Sequence, residues 1–427
     1  MSEAAGRLRS LLHSVPAAIR HDYLASVAVQ WSSLALQLVL FHLVAARGRV
    51  DGFAFYQIAR GAVSTVQPLA TAGLSTGLQR YLPRCGARAA TLARRAFAIQ
   101  VAIIAMVAIA GYALAQPLSD LLGLDGRPAV GAITVMLAGN CLCATSVAAL
   151  RGTGQVAFAN ATSLAGLAVV PVVAFFLASG IESFLVLQGF GMLGAAGCAI
   201  AVTRPSPDAP PGDGEASLRR LVRYGLGRTP GDLALPALFA FPTFAVANAL
   251  PGAGDAGYVG FMTSAVTLVC SVFAMLSPVL LPRLSSIFHN PGGGTSMHRG
   301  LLVLPFAAGA VAALIGATVV LLAPVLVRWF LGDEFTSAGP VLRLGMFAAV
   351  PVAMFYAIRP TLDALQDMPM TTWLLVGSLA VEVPLTYALR LVMHPPFAAV
   401  LAFVLAAATL GVAGYLVLVR AMAARSV

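Results

Sequence analysis

The sequence predicts an all-α polytopic membrane protein of about twelve transmembrane helices arranged in two six-helix lobes. Three observations predict it. Hydrophobic residues make up 59% of the 427 residues and charged residues only 10%, where a soluble domain would carry about a quarter charged residues. Apolar stretches of about twenty residues, enough to cross about 30 Å of hydrocarbon, recur along the whole chain, and the mean hydropathy is +0.89. The arginines gather in short connections between those stretches, as flanking charges of membrane spans do.

Taken in order, six spans are expected near 24–46, 53–80, 96–116, 129–150, 156–178 and 181–203. Residues 6–20 ahead of them read as an interfacial amphipathic helix, without a cleavable signal pattern. The first span carries Gln30, Ser33 and Gln37, spaced by three and four and so on one helical face. The second carries a longer ridge of Arg60, Ser64, Gln67, Thr71, Ser75 and Gln79, with apolar Val63, Val66, Leu69 and Leu74 between them. A helix meeting lipid all round would be apolar all round, so this face is expected to meet water or a polar passenger.

The stretch 204–220 opens RPSPDAPPGDGEASL and is the one Pro/Gly/acid-rich joint. It divides the chain into an N-terminal half, 1–203, and a C-terminal half, 221–427. Six further spans are expected near 221–250, 255–282, 300–326, 338–365, 370–391 and 397–420. The seventh opens with Tyr224, Arg228 and Asp232, each four apart; the tenth holds Arg343, Arg359 and Asp363; the eleventh buries Glu382. The halves echo one another. Gly52-Phe53 and Gly257-Tyr258 each start a second span, and Leu82-Pro83-Arg84 and Leu281-Pro282-Arg283 each end one. Repeats of this kind place a central cavity between two lobes.

Arginine bias sets the expected orientation. One set of connections holds Arg80, Arg84, Arg88, Arg94, Arg95, Arg151, Arg204, Arg219, Arg220, Arg223, Arg283 and Arg299, with terminal arginines besides. The opposite set holds Arg47, Arg49, Arg127, Arg328 and Arg390. Both termini are therefore expected to be cytoplasmic.

A charge at the bilayer centre costs about 2.5–3.5 kcal/mol on insertion scales, and something must offset it. For several charges a bland account stands beside the functional one. Arg343 and Arg359 can snorkel to the interfaces. The pairs Arg359/Asp363 and Arg228/Asp232 stand at i and i+4, where each can neutralise itself. Glu382 can be a protonated packing residue. The ridge on the second span is harder to account for by helix packing alone.

Other function classes find no support. The net charge of +10 comes from 26 arginines with no lysine, placed as membrane flanks, so nucleic acid is not an expected partner. The five cysteines read as small buried thiols. The six histidines have no metal-ligand spacing. There is no phosphate-binding Gly-rich loop with lysine, and Gly292-Gly293-Gly294 reads as a hinge. No metal, cofactor, catalytic group or ATP hydrolysis is expected, and the chain is not expected to be an enzyme.

Four segments together carry a resemblance: GFAFYQIARGAVSTVQPLATAGLSTGLQRYLPR at 52–84, YGLGRTPGDLALPALFAFPTFAVANAL at 224–250, GYVGFMTSAVTLVCSVFAMLSPVLLPRLSSI at 257–287, and WFLGDEFTSAGPVLRLGMFAAVPVAMFYAIRPTLDALQD at 329–367. They resemble the Wzx-type polysaccharide flippases of the multidrug/oligosaccharidyl-lipid/polysaccharide (MOP) exporter superfamily. The resemblance implies a cavity lined by spans 1, 2, 7 and 8. It implies a cargo of oligosaccharide on a polyprenyl pyrophosphate, flipped across a bacterial inner membrane for exopolysaccharide, capsule or O-antigen assembly. Membrane lipid, a polysaccharide polymerase and a chain-length regulator are the partners it suggests. On this reading Arg60 and Arg228 contact pyrophosphate or acidic sugar, Gln30, Gln37, Ser64, Gln67 and Thr71 line the sugar path, and Asp232 and Glu382 sense a proton or sodium ion. The chain departs from the fourteen spans usual in the superfamily's peptidoglycan-precursor flippases, having room for twelve. A cation-coupled drug or metabolite exporter is the first rival, and a membrane polysaccharide polymerase the second.

Overall fold

The computed structural model describes residues 17–85, 88–124, 126–204, 218–252, 254–275, 280, 284, 295–365 and 370–423. The amphipathic segment up to residue 16, most of the 204–220 joint, Leu281-Pro282-Arg283 and the 292–294 glycines lie outside them. Among the described residues all regular structure is helical. Eleven helices are long and apolar enough to cross a membrane. The first of these runs through Ala17–Thr71 but breaks at Arg49, whose backbone (φ 54°, ψ −158°) is not helical. It is therefore two crossings, span 1 (17–48) and span 2 (50–71), and eleven helices make twelve spans. The sequence placed a six-residue connection there; the chain turns on a single residue instead.

A short helix, Leu74–Tyr81, follows span 2. Then come span 3 (Ala89–Ala113), span 4 (Arg127–Gly152), span 5 (Val156–Leu177) and span 6 (Ile181–Ala201). The second half holds span 7 (Leu218–Ala249), span 8 (Asp255–Ala274), span 9 (Thr295–Phe330), span 10 (Ala338–Leu365), span 11 (Met370–Leu389) and span 12 (Pro395–Ala423).

Without water to drive helices together, membrane spans associate through small residues that let backbones approach. Span 4 lies on span 6 in this way. A β-carbon on Gly139 would sit 2.5 Å from the Gly189 carbonyl oxygen, and one on Gly189 would sit 2.5 Å from that of Val135. Large apolar side chains elsewhere point outward, among them Ile109, Phe176 and Leu321, as a lipid-facing rim requires. Carbonyls at helix ends find donors: Arg47 of span 1 donates to the Phe175 and Ala178 oxygens at 3.0 and 2.6 Å, closing the end of span 5.

Span 2 carries a second interruption. Pro68 takes one amide from its ladder, and the helix stops at Thr71. Ala72 (φ 46°) and Gly73 (φ 65°) are both left-handed before the chain resumes as Leu74–Tyr81. Gln100 of span 3, fully buried, donates its amide to the Ala70 oxygen at 2.6 Å, supplying a partner where the helix ends.

The helix of spans 1 and 2 packs on both span 7 and span 8, and span 2 makes its closest approaches there through glycines. The span 8 seam uses small residues facing Ala54 and Gln57: a β-carbon on Gly257 would lie 3.1 Å from Ala54, and one on Gly260 would lie 2.5 Å from Gln57 Cβ.

Candidate functional site: a cationic cavity between the halves

Spans 1, 2, 7 and 8 enclose a cavity of about 300 Å³, with Tyr356 of span 10 at its edge. Span 1 contributes Gln37 and Phe41, and span 2 contributes Gln57, Arg60, Gly61 and Ser64. Span 7 contributes Pro236 and Thr243, and span 8 contributes Thr263, Ser264 and Thr267. Gly61 admits span 7 closely, since a β-carbon there would touch Phe244 and Ala240 at 3.2 and 3.3 Å. Pro230, Pro236 and Pro242 interrupt span 7. Each leaves a carbonyl without its helical donor, which a membrane helix tolerates beside a polar cavity.

Among the described residues, Arg60 is the one charged side chain lining the cavity. Its Nη1 donates to Gln57 Oε1 and to Ser264 Oγ, both at 3.2 Å. The guanidinium lies over the Phe41 ring, 4.5 Å from its centroid, with Tyr56 at 5.9 Å, an arrangement in which ring faces stabilise a cation. Among the described residues no carboxylate pairs with it. By helix rise it lies about 16 Å from the Arg49 break, well inside the hydrocarbon depth.

Close crossings between the halves lie on both sides of the cavity. Toward Arg49, Phe53 meets Phe335 at 5.5 Å and Phe261 at 6.4 Å between centroids. Above them Arg49 of the first half pairs with Glu334 of the second, Nε lying 3.1 Å from both carboxylate oxygens. The Arg49 guanidinium holds the Glu334 carboxyl below its ordinary range. Toward the other end, Gly73 and Gly225 bring spans 2 and 7 into backbone contact, and a β-carbon on either would overlap the other residue. Gly77 rests on Leu221 one turn beyond.

The structure places the sequence-derived residues as follows. Arg60, Ser64 and Gln37 line the cavity together. Gln67 is partly buried and outside the lining; Thr71 is buried, its hydroxyl donating to the Pro68 oxygen at 3.3 Å. The break at Ala72–Gly73 separates Ser75 and Gln79 from the rest of the ridge. Gln30 is exposed near the other end of span 1. The side chain of Arg228 lies outside the described residues. Asp232 sits with Arg359 rather than in the cavity: Arg359 Nη2 is 4.0 Å from Asp232, and its Nε is 3.7 Å from Asp363. Thr371 donates to Asp363 at 2.9 Å, completing a bridge from span 7 through span 10 to span 11. Glu382 is 0% exposed, outside the cavity lining, and neither carboxylate oxygen has a hydrogen-bond partner among the described residues.

Sequence reasoning missed Gln57 and Ser264. Gln57 stands one turn before Arg60 and continues the ridge at spacing three, so its signal was present. Thr263, Ser264 and Thr267 show a polar face on span 8, but only folding brings it to Arg60.

Neither a protein-family model nor a curated protein matches the sequence. Solved structures do match by fold. The lipid II flippase MurJ in an inward closed conformation superposes with a TM-score of 0.70 at 14% identity, covering 92% of this chain and 87% of that one. An inward-facing multidrug resistance MATE family transporter of the MOP superfamily gives 0.63 at 17% identity, covering 94% and 98%. The MATE multidrug transporter DinF-BH in complex with R6G gives 0.61 at 14%, covering 95% and 96%. At these identities the likeness is one of architecture alone: the chain has the fold of these MurJ and MATE structures.

Proposed function

We propose that this chain flips a polyprenyl-pyrophosphate-linked oligosaccharide repeat unit across the bacterial inner membrane, for exopolysaccharide, capsule or O-antigen assembly. The observation that carries the reading is Arg60: a partly buried cation at membrane depth, with no carboxylate partner among the described residues, lining a cavity between the two halves. A charge held there by neutral partners calls for a ligand of opposite sign, and guanidinium suits phosphate oxygens taken in pairs. The hydroxyls of Ser64, Thr243, Thr263 and Thr267 offer hydrogen bonds to a sugar head while the lipid tail stays in the bilayer. A cavity of 300 Å³ is at the low end for a drug-sized ligand. A larger cargo head is accommodated as the two halves move apart during the cycle.

Arg228 remains the proposed second phosphate contact, with Gln30, Gln67 and Thr71 on the path during other states of the cycle. Glu382 is the stronger proposed proton or sodium sensor, because Asp232 already faces an internal cation. With the Arg49 end outward, both termini are cytoplasmic, and a polymerase and chain-length regulator would take up the product. The rival drug exporter binds cations, and a cationic cavity lining disfavours it.

The test is complementation of a strain that exports no polysaccharide for want of its flippase. Arg60→Ala, at wild-type abundance, is expected to reduce surface polysaccharide at least about tenfold, and Arg60→Lys to restore it only in part. Export at the wild-type level by Arg60→Ala would overturn the reading.

A further inference from the structure

Arg60 has five N–H donors, and the structure uses them unevenly. Nη1 donates to two acceptors, Gln57 Oε1 and Ser264 Oγ. Nε and Nη2 have no partner among the described residues. That unengaged edge is the one with which an arginine takes two oxygens of one anion.

The two acceptors are themselves fixed. The Ser264 hydroxyl donates to the Gly260 oxygen at 2.7 Å, so its lone pairs are what Arg60 meets. Gln57 is 3% exposed and lies against Gly260, where a β-carbon would leave it no room. Its oxygen must face Arg60, since its own amide hydrogens would oppose those of the guanidinium. The Gln57 amide nitrogen is then buried beside the guanidinium without a partner. A residue serving packing alone would not leave a donor unused there. Span 2 supplies the arginine and the glutamine, span 8 supplies the serine, and the ring of Phe41 fixes the plane.

We propose that Gln57 and Ser264 are positioning residues for a diphosphate subsite: they hold one amino group of Arg60 so that its opposite edge presents two parallel donors to the cavity, with the Gln57 amide as a reserve donor. This rests on the flippase reading and deepens it. It assigns recognition of the diphosphate to a preset fork rather than to a mobile charge. Because Ser264 belongs to the second half, the fork is complete only while spans 2 and 8 are together.

The test uses the purified full-length chain in nanodiscs, a fifteen-carbon polyprenyl pyrophosphate as probe, and the uncharged polyprenol of equal length as control. Thr and Val have the same shape and differ at the hydroxyl, so Ser264→Thr and Ser264→Val isolate the hydrogen bond. Affinity for the pyrophosphate is expected to fall about five- to tenfold in Ser264→Val and in Gln57→Leu, to stay near wild type in Ser264→Thr, and to fall furthest in Arg60→Ala. Polyprenol binding is expected to be alike in all, which damage to the fold would not produce. If Arg60→Ala binds the pyrophosphate as wild type does, the flippase reading itself fails. If Arg60→Ala loses binding while Ser264→Val equals Ser264→Thr and Gln57→Leu equals wild type, the positioning role alone is overturned. Should Gln57→Leu not fold, the Ser264 pair decides.

Discussion

An arginine in a bilayer is costly wherever it lies, and this chain lowers that cost at Arg60 with neutral partners only. Two oxygens and an aromatic face stabilise the cation without cancelling it, which leaves its charge available. Arg359 shows the opposite solution, between Asp232 and Asp363, where the charge is spent internally. A third arginine, Arg49, acts at the surface. Its pair with Glu334 is fully exposed, and the lowered carboxyl works in one direction: its contribution is complete above the ordinary carboxylate value of about 4.3 and disappears as pH falls through the lowered folded value. The melting-temperature difference between wild type and Glu334→Gln is therefore expected to be steady from pH 8 to pH 5 and to shrink progressively as pH falls below the ordinary carboxylate range. A difference that persists in acid would show that the carboxylate charge is not what holds this junction.

At the scale of elements, the spans were legible because each is an apolar run bounded by charge or by Gly and Pro. The polar face of span 2 was legible in part. Arg60 and Ser64 share a face over one unbroken turn, and the helix geometry assumed from their spacing holds there. Thr71 falls where Pro68 and the left-handed Ala72–Gly73 pair end the helix, so spacing stops mapping onto direction. Pro68 and Gly73 are local signals of that break, but the left-handed turn that fixes its position is set where Gly73 meets Gly225, 152 residues away. The Gln57–Ser264 contact was hidden for the same reason, being 207 residues long in sequence. The break also makes a prediction. Gly73→Ala places a methyl in the Gly225 backbone and costs about 1–2 kcal/mol for a left-handed Ala, so it should hold that end of the cavity apart. Oxidative cross-linking of Gly77→Cys with Leu221→Cys, in a background freed of native cysteines, is expected to drop several-fold. Unchanged cross-linking would show that the glycine crossing does not close the cavity.

At the scale of the molecule, the two halves share one hydrophobic core and meet at close crossings on either side of the cavity. Phe53, Phe335 and the Arg49–Glu334 pair form the crossing on one side, and Gly73 with Gly225 the crossing on the other. Opening one set while keeping the other is what alternating access requires, and Arg60 lies between them. On the proposed flippase reading, transport is a rocking of the halves about spans 2, 7 and 8, with the cargo's charge held midway. A flippase of that kind is expected to pass an anionic lipid head and ignore a cationic dye.

The most direct measurement is flipping in proteoliposomes that contain only this chain and a fluorescent, polyprenyl-pyrophosphate-linked oligosaccharide, read by the accessibility of the label to a membrane-impermeant quencher. The account predicts protein-dependent exchange between leaflets that Arg60→Ala abolishes, with no movement of a cationic dye in the same vesicles. Exchange at the wild-type rate by Arg60→Ala, or transport of the dye in place of the lipid, would contradict it.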